Sequence, residues 1–217
     1  MNVVRACLLV CVSLAVGCFG NEITEFPDGL EPLGENTLAG PGTMTDAFPE
    51  EYELEGTGGS RFDQVLGRGY IHAPIADVWA AFQEPSVGAD RRTSPEWSSD
   101  PINDSPYDAS FVVHHIAHDV VTVEWDVTWR QGVVTGTAAE PELVAIRWQK
   151  TSGSTLISII EGSMLLRPVG DGSITELELV YHASAAAAGT DTFVRYMQDI
   201  FNDAVAVTHG TPLPTFD

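Results

Sequence analysis

Three histidines crowd the run His114-His115-Ile116-Ala117-His118-Asp119, and crowded imidazoles first suggest a metal. On a helix, His114 and His118 would share a face. The neighbouring residues alternate with period two instead, and a strand sets positions 114 and 118 about 13 Å apart at roughly 3.3 Å per residue. One zinc, about 2 Å from each ligand, cannot bridge that span. His114 and His115 also point to opposite faces, so no metal is expected and wet-face polar residues are the default. Glu161 is a second candidate, because it interrupts the apolar run Leu156-Ile157-Ser158-Ile159-Ile160. Facing the interior, it would have its pKa raised by desolvation and serve as an acid or base. The alternatives are a cross-strand partner such as Arg147 or His182, or a snorkelling position beside a bulge at Gly162. His182 and Tyr181 close the last strand, and alternation turns one of them inward, where it could hydrogen-bond a ligand. Glu161 and His182 are thus the weak catalytic candidates. Ser158 and Ser163 have no evident base beside them, and a Gly-rich phosphate loop and a Gly-x-Ser-x-Gly elbow are both absent. No cofactor is expected.

The cysteines carry a different chemistry. Arg5 precedes the uncharged apolar run Ala6 to Gly17, which is shorter than the roughly 20 residues of a membrane-spanning helix and fits the core of an export signal. The ending Leu14-Ala15-Val16-Gly17-Cys18 resembles the lipobox of bacterial lipoproteins, with Ala three positions before the cysteine where Leu is usual. The resemblance implies cleavage after residue 17, lipidation of Cys18 and a membrane partner reached through its acyl chains. Cys7 and Cys11 lie in the removed segment, so a single cysteine remains and no intrachain disulfide can form. A cleaved signal that merely contains a cysteine, or an uncleaved anchor over Val3 to Phe19, are the plainer readings. Phe19, rather than Asp, follows the cysteine; in a Gram-negative cell that favours the outer over the inner membrane. The expected location is the cell envelope.

Charge excludes one class of partner. The 217 residues carry a formal charge of -21, and Lys150 is the only lysine. Nucleic acid is not expected, because phosphate binding needs clustered Lys and Arg, and anionic headgroups would not attract this chain either. Residues 19–60 hold ten Asp or Glu, eight Gly, four Pro and no Lys or Arg. Without sustained apolar periodicity, such a segment cannot offset its chain entropy by burial. A flexible acidic tether is expected over 18–60, in preference to a metal or partner site in Glu50–Glu55, and a single domain over 61–217.

The elements that must position these residues follow from periodicity. A strand is expected from Val65 to His72. Pro74 then opens a helix whose Ile75, Val78, Trp79 and Phe82 share one face. A short helix near Ser86–Arg92 and a loop come next. Val121, Val123, Trp125, Val127 and Trp129 alternate with polar residues, as in a strand with one buried face. Further strands are expected at Ser110–His118, Leu143–Lys150, Thr155–Arg167 and Ser173–Ser184, forming an antiparallel meander. A last helix, with Thr190 as its N-cap, carries the stripe Phe193, Met197, Ile200, Phe201, Ala204 and Val207 and ends at Gly210.

The motif Ile71-His72-Ala73-Pro74-Ile75-Ala76-Asp77-Val78-Trp79, together with this element order, resembles the opening of the START-like (SRPBCC) superfamily. That superfamily includes polyketide cyclases, lipid-transfer domains and plant pathogenesis-related allergens. The resemblance covers about residues 63–209 and implies an α+β helix-grip fold, a curved antiparallel sheet wrapped around a long C-terminal helix. It also implies an apolar cavity taking a hydrophobic small molecule or lipid, with Trp125, Trp129, Trp148 and Tyr181 as candidate walls. The superfamily has no common catalytic motif, so no catalytic residue carries over. Three functions fit: a lipid-anchored binding module, a cyclase, dehydratase or hydrolase acting on an apolar substrate, and a surface lipoprotein without ligand.

Overall fold

Eight strands form one antiparallel sheet, and its two faces are covered by different parts of the chain. The computed structural model describes residues 26–118 and 121–216, so Cys18 and the expected signal lie outside the described residues. In chain order the elements are β1 (Tyr52–Thr57), β2 (Asp63–Ile71), α1 (Ile75–Phe82), α2 (Pro85–Gly88), β3 (Glu96–Pro101), β4 (Ala109–His118), β5 (Thr122–Gly136), β6 (Pro141–Gly153), β7 (Ile157–Val169), β8 (Ile174–Ala185) and α3 (Thr190–Thr208). The sheet order is β1-β2-β8-β7-β6-β5-β4-β3. The chain therefore enters at one edge, crosses through α1 and α2 to the other, and returns as a meander that ends with β8 beside β2. This is the helix-grip architecture expected from the sequence.

The concave face carries α3 and most of the core. The alternating residues of β5 turn Trp125, Val127 and Trp129 inward, and direct cross-strand partners share a face. Trp129 lies opposite both Phe111 and Trp148, Trp148 opposite Gly162, and Gly162 opposite Tyr181. Rings from four strands form a row that crosses five, with Trp129 and Trp148 stacked at 4.6 Å and Trp148 and Tyr181 at 6.2 Å. The row depends on Gly162, because a Cβ there would fall inside the Trp148 indole. From α3, Phe193, Tyr196, Met197, Ile200, Phe201 and Ala204 pack onto this face. Each large apolar side chain so buried contributes about 1.5–3 kcal/mol.

The flexible tether expected over 18–60 is corrected by the structure for residues 26–60. Residues 52–57 form β1 and pair with β2 along their full length. Tyr52 faces inward and stacks on Phe201 of α3 at 4.7 Å, so the domain begins before residue 61. Residues 26–50 lie as a strap across the convex face. Asn36, 7% exposed, donates from Nδ2 to the carbonyls of Gly67 (2.8 Å) and Leu179 (2.9 Å) and accepts from Leu38 N (2.8 Å). Leu33 N donates to Ser163 Oγ, Arg147 donates to the Glu31 carbonyl, and Phe48 meets the edge of Tyr70. Acidity and Gly/Pro content argue against a self-contained core, but this segment uses the sheet as its partner instead.

Three smaller differences concern element ends. Gly189, not Thr190, occupies the N-cap of α3, and the Thr190 hydroxyl donates to Asp63 Oδ2 (2.7 Å). The short helix expected near Ser86–Arg92 is confined to Pro85–Gly88. β3, a short polar edge strand, was not anticipated; its Trp97 is the one large side chain turned towards the core.

Candidate functional site

Between the sheet and the start of α3 lies a cavity of about 70 Å³. Its floor is Trp125 and Val127 of β5, Tyr181 of β8, and Phe193 and Tyr196 of α3. Each is less than 10% exposed. Its mouth is marked by the lining residues that reach solvent, Thr93, Ile160, Ala185, Ala188 and Thr192. Apolar atoms dominate the wall, and the polar groups gather on the side formed by β4 and residues 90–94.

His115 is the centre of that polar side. It is 1% exposed, its ring stacks on Trp125 at 4.9 Å and 7°, and its Nδ1 lies 2.9 Å from Ser94 Oγ. Burial lowers its pKa to about 4, so the ring is neutral near pH 7. Its Nε2 is buried and has no hydrogen-bond partner among the described residues. The half-buried carboxyl of Asp90 lies at the same side and accepts from Thr93 N (3.0 Å). Surrounding protein raises its pKa by desolvation, against those hydrogen bonds. The Tyr196 hydroxyl donates to the Gly88 carbonyl (2.7 Å).

Residues 90–94 are held over the cavity by two ion pairs to α3. Asp199 and Asp203 are one helical turn apart, and both are nearly buried. Arg92 Nε meets Asp199 Oδ2 at 2.8 Å and Arg91 Nη2 meets Asp203 Oδ1 at 2.6 Å. Arg91 also donates to the Pro214 carbonyl, and the Phe216 ring lies under both guanidinium groups at 4.8 and 4.4 Å. Asp90, Arg91 and Arg92 carry no motif in the sequence, and His115, weighed there as a metal ligand with the wet face as the default for its run, is corrected to a buried, inward-facing position. The available signal was the spacing of Asp199 and Asp203, two acids on the otherwise inward side of an amphipathic helix.

The candidate walls divide. Trp125 and Tyr181 line the cavity, whereas Trp129 and Trp148, 1% and 0% exposed, are packed into the ring row away from it. The two weak catalytic candidates do come together, but on the wrong face. Glu161 and His182 are directly paired across β7 and β8, next to Gly162 and Tyr181, which point inward. Alternation turns both onto the convex side, where Glu161 Oε1 lies 3.0 Å from His182 Nδ1. Gln64 Nε2 lies 3.1 Å from His182 Nε2, and Phe62 stacks on the imidazole at 4.1 Å. This is the cross-strand partnership expected as the alternative to catalysis. An acid–base role for the pair inside the cavity is therefore corrected.

The other two histidines of the His114–His118 run are engaged elsewhere. His114 Nδ1 lies 2.7 Å from Asp126 Oδ1 and its Nε2 lies 3.1 Å from Asp100 Oδ2, which raises its pKa. His118 lies against Thr122 and Glu96 on the exposed side. Lys150, opposite Val127 on the inner face, is 3% exposed, and desolvation lowers its pKa.

Solved structures share this architecture. The human StarD13 (DLC2) lipid transfer and protein localization domain superposes with a TM-score of 0.50 at 10% identity, covering 77% of this chain and 87% of that one. A STAR-related lipid transfer protein fragment from Xanthomonas axonopodis matches at 13% identity with a TM-score of 0.47, over 73% of this chain and 92% of that one. The ZhuI aromatase/cyclase from Streptomyces sp. R1128 matches at 13% identity with a TM-score of 0.41, over 69% and 92%. No family model and no curated protein matches the chain. The fold is the START-like helix grip; at these identities the likeness is one of fold, and function has to be argued from the cavity.

Proposed function

We propose that this protein binds a hydrophobic small molecule or lipid in the cavity between the sheet and α3. The observation that carries the reading is the cavity itself: an apolar space walled by Trp125, Val127, Tyr181 and Phe193, unfilled by side chains, and open to solvent beside Ala185 and Ala188. An unoccupied apolar space forfeits the dispersion contacts that a guest would supply. The presence of lipid-transfer and aromatase/cyclase proteins among structures of this fold supports the reading without naming a ligand. Binding is favoured over catalysis because the Glu161–His182 pair lies on the opposite face of the sheet.

The second part of the proposal is location. Leu14-Ala15-Val16-Gly17-Cys18 supports export, cleavage and lipidation of Cys18, which would hold the domain in the cell envelope by its acyl chains. Phe19 after the cysteine supports the outer membrane in a Gram-negative host.

Native mass spectrometry of the full chain, followed by organic extraction, tests the binding reading. A discrete extra mass that solvent releases as an apolar compound is the expected result. A ligand-free mass that stays unchanged after equilibration with a mixture of apolar compounds contradicts it. Labelled palmitate should enter the wild-type chain and not the Cys18→Ser variant; equal labelling contradicts the anchor.

A further inference from the structure

We propose that the cavity selects a small neutral alcohol, phenol or N–H heterocycle, held by donation of its proton to Nε2 of His115. This deepens the binding reading above and rests on it.

The hydrogen-bond chain assigns the tautomer. Ser94 Oγ lies 2.7 Å from the Asp90 carbonyl oxygen, which can only accept, so the hydroxyl proton is committed there. The same Oγ lies 2.9 Å from His115 Nδ1 and must accept from an Nδ1–H. In a neutral imidazole that leaves Nε2 as a bare acceptor. It is buried, unpartnered among the described residues, and part of a residue that lines the cavity. Its lone pair lies in the ring plane, while Trp125 covers a ring face. A ligand therefore approaches the ring edge without disturbing the stack.

Charge and size narrow the class. No Lys or Arg is among the lining residues, and Asp90 stands on the polar side. A fatty-acid carboxylate or a phosphate ester would meet a carboxyl and a lone pair on the polar side, and the nearest inner-face cation, Lys150 opposite Val127, is not among the lining residues. An ammonium ion would lose its water among Trp125, Val127 and Ile157 with too few acceptors to replace it. The free volume of about 70 Å³ is roughly half that of the ~150 Å³ engineered cavity that takes benzene. A ligand of one or two rings fits by extending through the mouth, whereas a pair of acyl chains does not.

Calorimetric titration of the full chain with indole and 1-methylindole tests the proposal, with phenol and anisole as a second pair of different shape. Each pair differs only in the proton to be donated and a methyl group. The donor should bind about tenfold tighter than its methylated partner in the wild type. His115→Phe keeps an aromatic ring against Trp125, leaves Ser94 bonded to Asp90, and should bring the two affinities within about twofold. Equal affinities in the wild type overturn the anchor while leaving the cavity reading intact. A tenfold preference that survives in His115→Phe also overturns it, since methyl bulk would then explain the difference. Failure of all four compounds to bind overturns the cavity reading together with the anchor.

Discussion

At the scale of single residues, His115 and the Glu161–His182 pair separate the two faces of the sheet. His115 has a titration consequence whose sign is fixed by burial. Its pKa falls from the ordinary 6.5 to about 4 in the folded protein. Between those values the unfolded chain takes up a proton that the folded chain refuses. Stability is full above pH 6.5, falls as pH drops towards 4, and loses nothing further below that, for a total of about 3 kcal/mol. Asp203, raised to about 6 by burial against the pull of Arg91, gives an opposite slope in the same range. The comparison therefore belongs between variants: by urea denaturation, the stability of wild type minus that of His115→Phe should rise by about 3 kcal/mol as pH goes from 4 to 6.5, because only the wild type carries the His115 contribution while both share that of Asp203. Parallel curves would show that His115 protonates freely in the fold. By contrast, Glu161→Gln and His182→Ala touch the convex face. Each should leave the affinity for an apolar ligand within about twofold of wild type by calorimetry, while costing about 1–2 kcal/mol of stability from the broken pair. A loss of binding tenfold or greater would return both residues to the site.

At the scale of elements, the strap over residues 26–50 explains both its own invisibility in the sequence and the misplacement of Glu161. The strap's contacts, at Glu31, Leu33, Asn36 and Phe48, follow no regular spacing, so no period marks it; Asn36 is recognisable only by the two carbonyls it reaches. Because the strap covers the convex face, Ser163 and Arg147 are buried there, opposite Gly162 and Trp148 on the concave side. Strands buried on both faces lose the alternation that tells inside from outside, and the bulge at Ile157–Ile159 shifts the parity again. β5 kept a legible alternation, and its inward set of Trp125, Val127 and Trp129 matched. The helix stripes of α1 and α3 were legible for the same reason. β1 shows the limit of composition: Tyr52 and Leu54 alternate with Glu53 and Glu55, but the acid content masked the period. If Asn36 staples the strap, Asn36→Ala should cost about 2–3 kcal/mol, because two buried carbonyls lose their donor. Amide exchange of residues 26–50 should then rise, while α3 stays protected. Unchanged exchange over the strap would mean that the segment is held by its other contacts.

At the scale of the whole molecule, the polypeptide is a sheet with two different covers. The helix α3 and residues 90–94, tied together by Arg91–Asp203 and Arg92–Asp199, cover the concave face and leave a space; the strap covers the convex face. Three arginines of the sheet hold the strap: Arg68 donates to the Asn36 carbonyl (3.3 Å), Arg130 lies over the Phe26 ring at 4.0 Å, and Arg147 donates to the Glu31 carbonyl. A second, larger space of about 390 Å³ lies under the strap between Leu30 and Val133. It is a groove on the convex side, and it competes directly with the cavity as a home for an apolar guest. The crystal structure of the full chain under xenon pressure separates the two, since xenon enters dry apolar cavities. Xenon bounded by Trp125, Ile157, Tyr181 and Phe193 is the predicted result. A cavity left empty, with xenon confined to the groove between Leu30 and Val133, would contradict the account.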